Sequence, residues 1–92
     1  NGLQPGTLLP IHRHRTSLET CIVLCGKIYE IYYDDNGIET QRIPLGEGGA
    51  YGIQIPVGQW HSIEVLKPTV ILEVKDGEYT PLTKEDVINI KQ

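Results

Sequence analysis

The 92 residues contain no methionine, only two cysteines and only three histidines. Without methionine, Asn1 is not a natural start, and the chain is expected to be a trimmed form, a processed form or a fragment. A strand preceding residue 1 is an open possibility. No apolar run approaches the ~18 residues that a membrane-crossing helix needs, and no signal-peptide core is present. There is no basic excess. The net charge of -4 argues against nucleic acid as the main partner, because phosphate binding wants a basic face. Cys21 and Cys25 fall four apart in what reads as one strand, so their Cα atoms would lie ~13 Å apart, beyond disulfide reach. Free thiols suit a reducing compartment, which makes the cytoplasm the expected location.

A hydrophobic content of 39% fits one small globular domain spanning residues 1–92. Residues 8–14 read as extended, and 15–18 as a turn. Residues 19–24, 27–33, 38–45, 51–55, 61–66 and 70–75 read as strands, rich in Ile, Val and Tyr. Asn36-Gly37 predicts a type I′ hairpin turn, Gly46 to Gly49 and Pro56-Val57-Gly58 predict further turns, and Asp76-Gly77 closes the last strand. Thr83-Lys84-Glu85-Asp86 resembles a capping box, which predicts a short helix over 83–90. Many short strands at close spacing predict an all-β antiparallel sandwich or barrel.

Every histidine lies in one of two short runs. His12 and His14 share a face of a strand, their Cα atoms ~6.6 Å apart, so both imidazoles can reach one ion. Arg13 and Arg15 then point the other way. The turn after Arg15 lets Glu19 open a neighbouring strand and face back in. His61 follows a Pro-x-Gly turn far along the chain, so only closure of a barrel brings it near. A His-x-His pair by itself is commonplace on a surface strand. The glutamate five residues on, and a histidine after Pro56-x-Gly58-x-x, make a metal site of His12, His14, Glu19 and His61. Three imidazoles and a carboxylate suit one divalent Fe, Mn, Ni, Co or Zn ion without choosing among them. An octahedral ion would keep two open positions, whereas a tetrahedral zinc would be closed.

These residues form a recognisable pattern. Gly6-x5-His12-x-His14-x4-Glu19-x6-Gly26 matches the first motif of the cupin superfamily (RmlC-like), and Pro56-x-Gly58-x-x-His61 matches the centre of the second. The second motif departs at its ends, where Ala50 replaces the usual glycine and Val65 a frequent asparagine. Neither is a ligand position. The resemblance implies a small β-barrel (a jelly roll, or double-stranded β-helix) with the metal inside, held by His12, His14, Glu19 and His61. The runs His12 to Arg15, Glu19 to Leu24, Tyr33 to Gly37, Ile55 to His61 and Leu72 to Tyr79 are similar to the narrower group of WbuC-type cupin metalloproteins. Some of those bacterial proteins are encoded with surface-polysaccharide genes, and their reaction is not established.

Several other residues carry expectations. Cys21 should share the inward face of Glu19, as a small buried hydrophobe or a redox-sensitive pocket group. Cys25 is expected to be plain packing. Trp60 should point away from the metal. Tyr29, Tyr32, Tyr33 and Tyr51 supply both strand faces, and Gln54 is a pocket candidate. Arg13, Arg15 and Arg42 are read as solvated charge, with binding of an anionic substrate as the sharper alternative. The expected function is that of a metal-binding protein acting on a small sugar-like or keto-acid substrate, as an isomerase, epimerase or related enzyme of surface-polysaccharide metabolism. An Fe(II)-dependent dioxygenase and a non-catalytic, metal-stabilised binding module are the alternatives. No spare histidine offers a proton carrier, so a tyrosine, a carboxylate or water must serve. Exposed strand edges and apolar outer faces predict a homodimer.

Overall fold

A computed structural model of the chain describes residues 2–77 and 80–88. Among these the regular structure is nine strands and one turn of 3-10 helix. The strands are β1 (Gly2–Leu3), β2 (Ile11–His12), β3 (Ser17–Cys25), β4 (Lys27–Tyr33), β5 (Glu39–Gly46), β6 (Gly52–Ile55), β7 (Trp60–Val65), β8 (Thr69–Gly77) and β9 (Val87–Ile88). They form a four-stranded sheet in the order β1-β8-β3-β6 and a five-stranded sheet in the order β5-β4-β7-β2-β9. All pairings between these strands are antiparallel.

Alternation decides which side chains fill the space between the sheets. In β3, Ser17, Glu19, Cys21 and Val23 are buried, while Leu18, Thr20 and Ile22 are only partly covered. Cys21 and Val23 of that row meet Ile28, Tyr32, Leu45, Ile63 and Val65 from the other sheet in one apolar cluster, together with Ile55 and Ile71. The core therefore lies between the sheets.

Turns set the register. Gly26 adopts φ +100 between β3 and β4, and a Cβ there would stand 2.4 Å from the Pro68 carbonyl oxygen and from Thr69 Oγ1, so only glycine fits. The hairpin from Tyr33 to Glu39 differs from the type I′ expectation. Gly37 has φ +78, but no non-glycine residue among those described has positive φ, so Asn36 does not. Gly37 N donates to Asp34 O at 3.0 Å, and the Asp34 carboxylate accepts from the backbone of Asn36 and Ile38. The aspartate thus stabilises a longer loop closed by one left-handed glycine.

The helix expected over 83–90 is corrected as well. Only Lys84–Asp86 turns, as 3-10 helix, and the chain then extends as β9 against β2, with Ile11 opposite Ile88 and His12 opposite Val87. Residues 89–90 lie outside the described segments. An isolated helix this short is marginal in water, and strand pairing outweighs its propensity. The capping chemistry survives: Asp86 accepts from Thr83 N at 3.2 Å and Thr83 Oγ1 at 3.0 Å.

Candidate metal centre

Three neighbouring strands bring the histidines together. His12 of β2 is the direct cross-strand partner of His61 in β7, which in turn faces Tyr32 in β4. His14 follows β2, and its carbonyl oxygen accepts from Gly58 N at 2.7 Å, which ties it to the turn preceding His61. Glu19 arrives from β3 in the opposite sheet. The four side chains each offer one ligand atom, and all four atoms lie within 4.8 Å of one another. Two ligands each ~2.1 Å from an ion are at most ~4.2 Å apart, so the cluster is nearly at coordination spacing.

Polar partners aim the rings. His12 Nδ1 lies 3.1 Å from Pro10 O, and His61 Nδ1 lies 2.8 Å from Gln59 O. A proton on each Nδ1 leaves the Nε2 lone pair facing the centre, the arrangement in which backbone carbonyls orient metal-binding histidines. His14 Nε2 sits 2.9 Å from Glu19 Oε1, and His61 Nε2 sits 3.8 Å from it. These three atoms are buried, and none has hydrogen-bond geometry to any partner. Buried polar groups without partners are costly, and a cation at their centre would satisfy all of them. The donor set therefore has the chemistry to hold a divalent transition metal, and the four side chains that converge are those singled out by the motifs.

The electrostatics point the same way. Burial first, then the neighbouring His61, lowers the His12 pKa from 6.5 to about 4. Burial also lowers His14. For Glu19 burial works upward, but His61, the Glu73 carboxyl and His14 outweigh it and hold the group at about 2. At neutral pH this is a pair of neutral imidazoles beside a carboxylate, the protonation state a metal requires.

The arginines alternating with the histidines anchor the segment. Asp86 accepts from Arg13 Nε at 3.2 Å and from Arg15 Nε at 2.5 Å, and Arg13 also stacks over Trp60, 4.4 Å from the ring centroid. Burial pushes the Asp86 carboxyl upward, but the hydrogen bonds from Arg15, Thr83 and Arg13 together outweigh it and hold the group well below the usual carboxylate range. Pulling Arg13 and Arg15 outward turns His12 and His14 inward. Asp86→Asn is expected to leave the fold intact and weaken metal affinity by roughly tenfold, measured by competition with a chromophoric chelator. Unchanged affinity would mean that the strap does not position the histidines.

Other expected residues divide. Cys21 is fully buried, and burial followed by the charges of Glu30, Glu73 and Glu19 raises its thiol to about 12, which makes it a packing group. Cys25 is exposed and unpaired, contrary to the packing role expected of it, because the bulge between Val23 and Cys25 breaks the alternation. Trp60 points outward, buried, and donates from Nε1 to Asp35 at 3.1 Å. Tyr32 faces inward, whereas Tyr33 bonds Ser62 at 2.7 Å, Tyr29 lies beneath Arg42 and Tyr51 is exposed. Gln54, a pocket candidate by sequence, is exposed opposite Thr20 on the outer face. Arg42 bridges Glu39 and Glu64 at the surface.

One group escaped the sequence reading altogether. Glu30 in β4 is fully buried, with neither carboxyl oxygen hydrogen-bonded. Burial above all, then Glu19 and Glu73, raises it from 4.5 to about 9, so it is a neutral acid at pH 7. A glutamate between Ile28 and Tyr32 in a predicted strand was the available signal.

Comparison with known proteins adds the fold. The model of a domain of unknown function, DUF6016, matches residues 1–45. A search of curated proteins returns no match. Among solved structures, the capsular polysaccharide assembling protein CapF from Staphylococcus aureus superposes with a TM-score of 0.76 at 24% identity, over 100% of this chain and 27% of that one. A mutant of Bacillus subtilis oxalate decarboxylase OxdC superposes with a TM-score of 0.69 at 23% identity, over 97% of this chain and 22% of that one. Another structure of that decarboxylase, whose subject is its Mn(II) centers, gives a TM-score of 0.68. The chain spans about a quarter of the length of these proteins. Among the described residues no helix is long and apolar enough to cross a membrane. With two antiparallel sheets closed over a His-His-Glu-His cluster, the chain has the cupin fold.

Proposed function

We propose that this chain is a metal-binding cupin protein in which His12, His14, Glu19 and His61 hold one divalent transition metal ion, and that it acts on a small sugar-like or keto-acid molecule. The observation that carries the reading is the convergence of four ligand atoms within 4.8 Å, three of them buried without hydrogen-bond partners. When bound, such an ion would supply Lewis acidity toward a carbonyl or hydroxyl oxygen. The chain's own part is to aim the Nε2 atoms of His12 and His61 through Pro10 O and Gln59 O, and to exclude water with Ile55, Ile63 and Tyr32.

The resemblance to WbuC-type proteins and the structural likeness to a capsular polysaccharide assembling protein together support a place in bacterial surface-polysaccharide metabolism. Two unpaired thiols support a reducing, cytoplasmic setting. Metal analysis of protein purified without added metal or chelator tests the core of the reading. About one equivalent of a transition ion is expected; a metal-free protein that takes up none on addition would overturn it. Iron together with dioxygen uptake on adding substrate would select the oxygenase chemistry instead.

Association in pairs belongs to the same proposal. The outer face of the four-stranded sheet exposes Leu24, Val70, Leu72 and Val74, with Ile22 opposite Leu72 and Thr20 opposite Val74. A second copy covering this face would remove a continuous apolar stripe from water. Sedimentation is expected to show a dimer, and monomeric behaviour at all concentrations would refute it.

A further inference from the structure

Asn36-Gly37 lies in the loop between β4 and β5, and the metal reading makes no use of it. Independently of that reading, we infer that Asn36 is a self-modification site: Gly37 N attacks the Asn36 side-chain amide, aspartate and iso-aspartate result, and the iso-aspartyl form releases Trp60 from Asp35.

This ring closure is least hindered where asparagine precedes glycine, which has no Cβ to block the approach of its nitrogen. Asn1 and Asn36 precede glycine, whereas Asn89 precedes the β-branched Ile90. Asn36 is exposed, and its side chain makes no hydrogen bond to any described residue. One residue holds the loop. Gly37 N donates to Asp34 O at 3.0 Å, and the Asp34 carboxylate accepts from Asn36 N at 2.9 Å and from Ile38 N at 3.0 Å. Gly37 N reaches Asn36 Cγ only when its own bond to Asp34 opens. Local opening of an exposed loop costs far less than unfolding, so Asp34 sets the rate.

The step needs only water. Gly37 N bonds to Asn36 Cγ, the Cγ–Nδ2 bond breaks, and ammonia leaves with the Gly37 amide proton. The cyclic imide then takes up one water. Opening of its bond from nitrogen to Cγ leaves aspartate at position 36. Opening of its bond from nitrogen to the main-chain carbonyl carbon leaves iso-aspartate, whose backbone runs on through Cβ and Cγ and is one methylene longer. Both products add a carboxylate beside Asp34 and Asp35, but only the second moves the backbone. Asp35 accepts from Trp60 Nε1 at 3.1 Å, and Arg13 stacks on that indole. A longer backbone next to Asp35 withdraws the acceptor from an indole that is only 7% exposed.

Peptide mass spectrometry of protein stored in mild alkali, which favours loss of the Gly37 amide proton, tests the site. The peptide holding Asn36 is expected to gain the mass of an amide-to-acid exchange, with iso-aspartate among the products; the Asn1 peptide is read separately. Asn36→Gln should not convert. Asp34→Ala, which removes the carboxylate from the loop, is expected to convert about threefold faster or more. The chain has one tryptophan, so its emission reports on Trp60 alone. The iso-aspartyl form is expected to emit further to the red. Asn36→Asp carries the charge without the longer backbone and is expected to keep the wild-type spectrum. An unconverted Asn36 peptide, or an equal rate in Asp34→Ala, would overturn the site. An unshifted spectrum in the iso-aspartyl protein, or an equal shift in Asn36→Asp, would overturn the release of Trp60 by the backbone.

Discussion

Chelation of the purified protein is expected to lower its melting temperature by roughly 15 °C or more. A ligand present at ~1,000 times its dissociation constant stabilises the folded state by about 4 kcal/mol, and in a domain of this size each kcal/mol is worth ~4–8 °C. The effect should be large here because the unliganded cluster leaves His14 Nε2, Glu19 Oε1 and His61 Nε2 buried without partners. His61→Ala, which removes the ligand that closes the barrel, is expected to abolish the response to chelator. The chelated protein should also be acid-sensitive. Burial holds folded His12 at about 4, whereas the unfolded group titrates at 6.5. Between those values the unfolded state binds more protons, so stability is full above 6.5 and is lost as the pH falls toward 4. His12 contributes at most about 3 kcal/mol to that loss. Melting curves with and without chelator at pH 5 and 7.5, for wild type and His61→Ala, would measure all of this. Equal melting temperatures with and without chelator in wild type would remove the metal from the account of stability.

Replacing Glu30 by glutamine is expected to stabilise the chelated, metal-free protein by about 3 kcal/mol at pH 7, an unusual sign for a change in a packed interior. The folded carboxyl keeps its proton up to about 9, while the unfolded one ionises at 4.5. Across that window the folded state binds more protons. The linkage slope is therefore negative: wild-type stability is greatest below 4.5, declines as the pH rises, and levels off above 9. Glutamine does not titrate, so its variant should lack this decline, and the gap between the two proteins should widen from pH 5 to pH 9. Urea midpoints at pH 5, 7 and 9 would show it. Parallel curves for the two proteins would mean that Glu30 is ionised when folded.

The contrast between His61 and Glu30 shows what the sequence could reveal. The histidines were legible because each sits at fixed spacing from a turn-forming glycine or proline, and those spacings survive whatever the exact strand ends are. Gly26, which no other residue can replace beside Pro68 and Thr69, was legible for the same reason. Glu30 was not, because β4 is apolar on both faces: Ile31 and Tyr32 are buried alike, so alternation does not say which way the glutamate points. The missed β9 has a different cause. Thr83 to Asp86 does carry a helix-start signal, but Asp86 is also claimed by Arg13 and Arg15 some seventy residues earlier, a contact that local reading does not see. Cys25 went wrong through a bulge one residue away.

Of the four converging groups, Glu19 alone comes from the four-stranded sheet; the others belong to β2, the segment after it, and β7. A cation bound among them would therefore rivet the two halves of the sandwich at one end, while the other end relies on apolar contact. Loss of the rivet should first be felt as faster amide hydrogen exchange around Ser17 to Cys21 and in the Gln59 to His61 segment, with the Ile28 and Val65 end still protected. In a metal-starved cell that loosened end is where a protease would begin, so the abundance of the protein itself would report on metal supply.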